Sequence, residues 1–286
     1  MSRKIIAIVL AFVLLAGLFS CGTEPVQYEH TESNEIVYKT TDDGALGLDI
    51  LYPTRRRHDK NPTVLVFHGG GWISGSRTEF YEEFAPLCDG LRAQGVTVVG
   101  VSYRFALDGR TWRDCLDDCE DALAYLLEHA AEYDIDTENM GVIGYSAGAH
   151  LALMTAIESE DSVKVCVSMA GPVSFTTTPE SPYYSSALAY YYDYIFGGKP
   201  ASAVMLDASP IALVSRKCGS SFLMVNGTAD TVVSAVHAES FCREVTSFGL
   251  EAELILPEGL THAYPAYDGF TELCGDIAAW VVERLG

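Results

Sequence analysis

Ser146 stands between two glycines in the pentapeptide 144–148 (GYSAG), where its type and spacing suggest a nucleophile. The apolar run 140–143 precedes the pentapeptide and the helix-like run 150–157 follows it, which predicts a strand-to-helix turn at the serine. Glycines on both sides permit a turn so tight that the serine oxygen is exposed. The pentapeptide alone also fits a plain turn, so its interpretation depends on partners elsewhere.

A base and an acid follow two later apolar runs. A serine hydroxyl is a poor nucleophile until a base takes its proton, and the base needs a third group that holds its tautomer. Asp230 lies in the loop after the run 222–225, and His262 lies in the loop after the run 254–256. The sequence therefore predicts a catalytic triad of Ser146, Asp230 and His262.

The segment 68–72 (HGGGW) follows the apolar run 64–67 and suggests a site for a negatively charged oxygen. A tetrahedral intermediate needs such a site, and glycines let backbone N–H groups approach it closely. Ala147 follows the nucleophile at a predicted helix N-terminus and supplies a further donor. We therefore predict that Gly70, Gly71 and Ala147 form an oxyanion hole.

Further residues near these motifs are candidates for a substrate pocket. Trp72 and Tyr145 adjoin the oxyanion segment and the nucleophile, although loop packing explains Trp72 equally well. His150 lies one turn into the helix after the serine and is expected to be structural or to line the pocket. His68 is expected to shape the oxyanion loop rather than to act as a base.

The elements that must position these residues alternate between strands and helices. Short apolar strands separated by helices predict an α/β fold whose mostly parallel sheet is covered on both faces, with its chemistry at the carboxyl ends of the strands. An antiparallel hairpin is expected to precede this alternation. The predicted strands are 35–41, 46–52, 64–67, 96–101, 140–143, 163–169, 222–225 and 252–256, and the predicted helices are 80–93, 115–131, 147–157, 234–248 and 269–285.

Two segments of the chain have open interpretations. The excursion 172–210 is small, rich in tyrosine and expected near the site, where its rings could stack on a sugar or an aryl acyl group or could simply pack the excursion onto the body. The acidic residues within 117–121 lie on a predicted helix and are expected to form a solvated face, with a calcium site as the alternative.

The N-terminal residues 1–20 are expected to be a signal peptide, because Arg3 and Lys4 precede an apolar stretch too short for a membrane span of about 20 residues. The residues up to Cys21 resemble the lipobox of bacterial lipoproteins, which implies lipidation of that cysteine. Residues 21–34 are expected to be a linker and 35–286 the catalytic domain. We expect an exported cell-surface lipoprotein that contacts the membrane only through its lipid, with plain secretion and a free Cys21 as the alternative.

The net charge of −21 over 286 residues disfavours phosphate-bearing partners, namely nucleic acid and anionic lipid head groups. Neutral small-molecule or carbohydrate esters are not disfavoured. Of the eight cysteines, those other than Cys21 are odd in number and lack a paired metal-binding pattern. They are expected to be mostly buried and reduced, although export would permit one or two disulfides. The predicted chemistry requires no metal and no organic cofactor.

Together, the elbow 144–148, the loop 68–72 and the loops that carry Asp230 and His262 resemble the α/β-hydrolase superfamily. The similarity is to its bacterial carboxylesterase and acetyl-esterase branch, related to hormone-sensitive lipase, and it covers roughly residues 35–286. The chain order of serine, aspartate and histidine is the one expected there. Kynurenine formamidases carry a similar HGGxW loop, so the resemblance is less specific for the substrate.

These observations lead to one expected function and two alternatives. The first expectation is a serine esterase that removes short acyl groups, acetyl foremost, from an alcohol or a carbohydrate. An amide hydrolase such as a formamidase is the second, although formamidases are normally intracellular and the leader argues for export. The third is a surface binding protein on a hydrolase fold, which would not need the complete set of catalytic residues.

Overall fold

The computed structural model describes residues 32–55, 59–159, 161–198, 200–215 and 218–286. The predicted signal peptide, the predicted lipidation site Cys21 and most of the predicted linker lie outside the described residues. The first strand begins at Glu32, three residues before the predicted start of the folded domain. It forms the predicted antiparallel hairpin with the second strand through the turn at Asp42 and Asp43.

Eight strands form one sheet in the order β1-β2-β4-β3-β5-β6-β7-β8. Strand β2 runs antiparallel to β1 and β4, and all the remaining neighbours are parallel. The predicted mostly parallel α/β sheet is therefore confirmed. The strands are β1 Glu32–Thr41, β2 Gly44–Leu51, β3 Asn61–Phe67, β4 Thr97–Val101, β5 Ile135–Tyr145, β6 Val165–Met169, β7 Ser221–Val225 and β8 Ala252–Ile255.

Helices cover both faces of the sheet because the strand side chains alternate between two apolar cores. On β3, Leu65 and Phe67 join the core under α3, α4 and α9, whereas Val64 and Val66 join the core under α1, α2 and α10. The helices are α1 Arg77–Glu83, α2 Ala85–Ala93, α3 Trp112–Glu128, α4 Ala147–Glu158, α5 Ser186–Ala189, α6 Tyr192–Ile195, α7 Ser202–Asp207, α8 Pro210–Leu213, α9 Val236–Ser247 and α10 Phe270–Leu285, with a 3-10 helix at Tyr264–Ala266.

The predicted single helix 80–93 is wrong, because the structure divides it into α1 and α2 at Phe84. Pro86 lies in the first turn of α2. Proline has no backbone N–H, and its ring would clash with the carbonyl of the preceding turn, so it fits the first turn of a helix but breaks a helix that continues through it.

The predicted solvated face on 117–121 is wrong for Asp118, whose side chain is fully buried. Its carboxylate accepts two hydrogen bonds from the Arg104 guanidinium, each 2.8 Å long, and one of 2.6 Å from Lys39 Nζ. Both oxygens of the Asp118 carboxylate are thus paired with cationic side chains. Asp118 therefore ties α3 to β1 and to the segment after β4.

The burial of Asp118 leads to a prediction about stability. Asp118→Asn should lower the free energy of unfolding by about 2 to 3 kcal/mol. This loss is smaller than the one expected on breaking a fully buried ion pair, because Arg104 and Lys39 keep some contact with water. Urea denaturation would measure this loss. Asp117→Asn is the matched control one residue away: its pair with Arg113 is exposed, and the expected change is below about 1 kcal/mol. Equal effects of the two substitutions would contradict the structural role of Asp118.

The described cysteines are all free, and all are buried except Cys242, which is half-buried. Most are thus the reduced packing residues that the sequence predicts. Within the described ranges, none of the helices combines the length and the apolar character needed to cross a bilayer.

Candidate active site

Ser146 occupies the turn between β5 and α4 with φ 54° and ψ −116°. A side chain with positive φ is strained, and the surrounding structure must hold it there. The N–H of Ser146 donates a 2.8 Å hydrogen bond to the carbonyl of Met169 at the end of β6. The turn thus has the conformation of a nucleophile elbow.

Close packing requires a glycine at position 148, the last residue of the elbow. A Cβ atom on Gly148 would lie 2.1 Å from the carbonyl oxygen of Phe67, the last residue of β3. Since backbone atoms cannot yield that much space, only glycine lets α4 start so close to the sheet. The glycine two residues after Ser146 in the sequence motif therefore has a steric cause.

The structure brings the three predicted catalytic side chains together. His262 Nε2 lies 3.0 Å from Ser146 Oγ, and His262 Nδ1 lies 2.8 Å from Asp230 Oδ2. Asp230 has a fully buried side chain, whereas the side chain of His262 is 21% exposed. The other oxygen of Asp230 accepts hydrogen bonds from the N–H groups of Val232 and Val233, at 2.8 and 2.9 Å.

This arrangement can carry out proton transfer at the serine. Asp230 holds His262 with its Nδ1–H donated to the carboxylate, so that Nε2 is the acceptor facing the serine hydroxyl. A proton taken from Ser146 would create an imidazolium next to a buried carboxylate. The two backbone N–H groups satisfy that carboxylate and fix its orientation.

The loop 68–72 turns sharply beside the serine. Gly70 and Gly71 have φ values of 111° and 62°, and Trp72 follows with 63°. A Cβ on Gly71 would lie 2.2 Å from the ring of Tyr191, so a larger residue would clash with the excursion. Of the predicted oxyanion donors, Gly70 and Gly71 thus share a cavity with the nucleophile, and Ala147 directly follows it at the N-terminus of α4.

His68 supports this loop from behind. Its ring stacks on Tyr103 at 4.2 Å, and its Nδ1–H donates a 2.7 Å hydrogen bond to the carbonyl of Gly69. Burial lowers the pKa of His68 to about 4, so the ring is neutral at physiological pH. These contacts agree with the predicted role in shaping the loop.

A cavity of about 280 Å³ opens over the serine, and apolar side chains supply most of its wall. Of the predicted pocket residues, Trp72 and Tyr145 line it. Sequence reasoning missed the residues that the excursion and the loop after Asp230 contribute, because no motif marks them. The complete lining is Gly70, Gly71, Trp72, Tyr145, Ser146, Pro172, Ala187, Leu188, Tyr191, Val232, Val233 and His262.

His150 lies behind the pocket wall instead of in it. Trp72 Nε1–H donates to His150 Nδ1 at 3.2 Å, and His150 Nε2–H donates to the carbonyl of Ala208 at 2.8 Å. Burial lowers the pKa of His150 to about 4, which keeps the ring neutral. His150 therefore fixes the indole of Trp72 and connects it to the excursion.

The tyrosine-rich excursion packs on the body of the protein through its buried rings. Tyr192 is buried and its ring packs against Phe175 and Phe196, which holds the excursion on the body. Tyr191 lines the cavity, whereas Tyr190 is 65% exposed outside it. Packing explains the buried rings, and among the described tyrosines of the excursion Tyr191 is the one that lines the cavity.

A second cavity of about 240 Å³ adjoins the first and shares Gly70 and Tyr145 with it. Its wall is more polar and includes Ser74, Glu79 and Glu83. A wider groove of about 400 Å³ lies between the hairpin and α1–α2, but its lining has neither serine nor histidine. The predicted catalytic side chains Ser146 and His262 line the first cavity.

The fold and the elbow define an α/β-hydrolase, as the resemblance of the motifs implies. More particularly, the family model described as BD-FAE matches residues 48–245, and the chain belongs to that family. Within the described residues, no group of three or more histidine, cysteine, aspartate or glutamate side chains could hold a metal ion.

Several known proteins with similar sequences are named as esterases or ester hydrolases. Esterase LipC of Mycobacterium tuberculosis is 30% identical over 250 residues, which cover 80% of this chain and 59% of LipC. The probable carboxylic ester hydrolase LipM of the same organism is 26% identical over 195 residues, covering 63% of this chain and 44% of LipM. The chain thus spans about half the length of these curated relatives.

Solved structures share the fold at lower sequence identity. A truncated carbohydrate esterase from gut microbiota superposes with a TM-score of 0.75 at 18% identity, covering 90% of this chain and 99% of that one. A hyperthermophilic esterase from Pyrobaculum calidifontis has a TM-score of 0.74 at 23% identity, covering 91% and 87%. These likenesses confirm the α/β-hydrolase architecture.

Proposed function

We propose that this protein is a serine carboxylesterase that hydrolyses short acyl esters through an acyl-enzyme. The observation that carries the proposal is the continuous set of hydrogen bonds from Asp230 through His262 to Ser146. Ser146 Oγ attacks the ester carbonyl while His262 Nε2 takes its proton, and the N–H groups of the oxyanion loop and Ala147 stabilise the oxyanion. His262 then gives the proton to the leaving alcohol.

Deacylation repeats the same chemistry with water. Water replaces the alcohol, His262 takes its proton, and the hydroxide attacks the acyl carbonyl. Collapse of the second tetrahedral intermediate releases the carboxylic acid and returns the proton to Ser146. These steps need only the side chains and backbone amides named above.

The apolar cavity supports a small acyl group, with acetyl as our first choice. The cavity that contains Ser146 is also lined by Leu188, Tyr191 and Trp72. A series of nitrophenyl esters from acetate to octanoate would test this choice, and the highest kcat/KM should fall on acetate. N-formylkynurenine in the same series tests the amide-hydrolase alternative, which faster turnover of that compound would favour.

The polar cavity supports a carbohydrate as the alcohol. Glu79 and Glu83 lie one turn apart in α1, and within the described chain neither carboxylate has a hydrogen-bond or ion-pair partner. Carboxylates are hydrogen-bond acceptors that suit sugar hydroxyls. The fold neighbour named as a carbohydrate esterase is consistent with this proposal.

Replacing Glu83 tests the carbohydrate proposal. Glu83→Gln should raise KM for an acetylated xylo-oligosaccharide about three- to tenfold, because the amide keeps an acceptor oxygen but loses the charge that strengthens its hydrogen bond, and should leave nitrophenyl acetate hydrolysis unchanged. Glu82→Gln is the matched control, because this exposed neighbour does not line the cavity. An equal KM for the sugar ester in both variants would remove Glu83 from the alcohol site.

We also propose that the protein is exported and anchored through a lipid on Cys21, on the basis of the N-terminal sequence pattern. An alkynyl fatty acid fed to bacteria that express the full chain should label the wild type and not Cys21→Ser. Release of unlabelled wild type into the medium would favour plain secretion instead.

A further inference from the structure

Tyr145 is the residue that joins the strand of the nucleophile to the loop of the base. It is the last residue of β5 and directly precedes Ser146. Its hydroxyl donates a hydrogen bond to the backbone carbonyl of His262, a residue 117 positions later in the chain. The two halves of the proposed proton-transfer pair are therefore connected through one side chain as well as through their own contact.

The loop of His262 is held on both sides of the histidine, since Leu260 and Tyr264 are buried and hydrogen-bonded to the carboxyl-end loops of the sheet. At the His262 peptide itself, the hydrogen bond described is the one that its carbonyl receives from the Tyr145 hydroxyl. Asp230 holds only the ring, through Nδ1. A ring held at one nitrogen can still pivot if the backbone behind it moves, so the position of Nε2 depends on both anchors.

Tyr145 is itself rigidly placed. Its ring packs against Phe84 at 5.2 Å and Tyr264 at 5.4 Å, with Gly69 so close that a Cβ there would lie 2.9 Å from the ring. Burial raises the pKa of the Tyr145 phenol above its ordinary value, so the hydroxyl remains a donor at physiological pH. The Tyr145 hydroxyl can therefore hold the backbone of the His262 loop in one position.

We propose that Tyr145 is a positioning residue, whose hydroxyl holds the His262 backbone so that Nε2 stays within hydrogen-bond distance of Ser146 Oγ. This role rests on the proposed esterase function. It differs from a role in substrate binding, since the ring lines the cavity while the hydroxyl is occupied by the His262 carbonyl. It also differs from a general packing role, which the ring alone would fulfil.

Tyr145→Phe separates these roles because it keeps the ring and removes the hydroxyl. With nitrophenyl acetate, kcat should fall about tenfold while KM changes less than twofold, since one anchoring hydrogen bond is worth about a factor of ten. The rate at which a fluorophosphonate inactivates Ser146 should fall by a similar factor. The matched control is Tyr38→Phe, which likewise removes a hydroxyl bonded to a backbone carbonyl, that of Ser102, from a tyrosine that lines neither cavity.

A double substitution distinguishes positioning of His262 from a purely structural role of Tyr145, because the effect on kcat should then depend on whether Asp230 is present. In the Asp230→Ala background, His262 has already lost the anchor of its ring, so adding Tyr145→Phe should lower kcat by less than threefold. Unchanged kcat in the single variant, a changed KM with unchanged kcat, or equal losses in Tyr145→Phe and Tyr38→Phe would each overturn the proposal. Absence of ester hydrolysis in the wild type would instead contradict the proposed function.

Discussion

Ser146→Ala should lower kcat for nitrophenyl acetate by about 10⁵- to 10⁶-fold and abolish labelling by a fluorophosphonate probe. The alanine fits the elbow as well as the serine does, because only the hydroxyl is removed. The variant loses the atom that forms the acyl-enzyme, whereas the oxyanion donors and the cavity remain. A residual rate above that of water is therefore expected from binding and from the oxyanion loop.

The control for this experiment is Ser247→Ala at the exposed end of α9, whose hydroxyl donates a hydrogen bond to the carbonyl of Glu244 in the same helix. It should keep full activity and full labelling. Circular dichroism and the thermal midpoint would show that both variants are folded. Labelling of Ser146→Ala at the wild-type rate would place the nucleophile elsewhere, and no labelling of the wild type would favour the binding-protein alternative.

The catalytic positions could be predicted because each has a local signal. The glycines around Ser146 are required because side chains there would clash with neighbouring backbone, at Gly148 with the end of β3. Asp230 and His262 each follow an apolar run that forms a strand in the structure. In a parallel sheet the carboxyl ends of neighbouring strands meet at one edge, so residues remote in sequence converge there. Local patterns were thus sufficient for this part of the site.

Contacts between distant residues had no such signal. Asp118 carries the same side chain as its exposed neighbour Asp117, and its burial depends on Lys39, 79 positions away. Leu188 and Val232 reach the cavity only because the excursion and the loop after Asp230 fold over the serine. The periodicity of apolar residues predicts which face of a helix or strand is buried, but it does not predict which polar side chains from elsewhere in the chain contact that face.

The division of the predicted helix 80–93 has a different cause. Pro86 was visible in the sequence, yet the apolar periodicity on both sides favoured one continuous helix. The missing N–H of proline decided the boundary. The result matters for the site, since α1 carries Glu79 and Glu83 at the polar cavity while Phe84, at the junction, supports the ring of Tyr145.

Asp230→Asn should lower kcat by about 10⁴-fold with little change in KM. The amide has nearly the shape of the carboxylate, but its NH₂ group cannot accept the Nδ1–H of His262. If the amide oxygen keeps the hydrogen bonds from Val232 and Val233, the NH₂ group faces the ring and favours the tautomer with the proton on Nε2. That tautomer cannot accept the proton of Ser146.

The measurement is kcat for nitrophenyl acetate beside that of Asp207→Asn, which makes the same change on the exposed side of α7. Because the buried carboxylate also stabilises the imidazolium of each transition state, acylation and deacylation should both slow. Burst kinetics would therefore show a slower initial phase as well as a low steady-state rate. A loss below tenfold would mean that another group orients His262, and the double substitution with Tyr145→Phe would then show whether the tyrosine hydroxyl is that group.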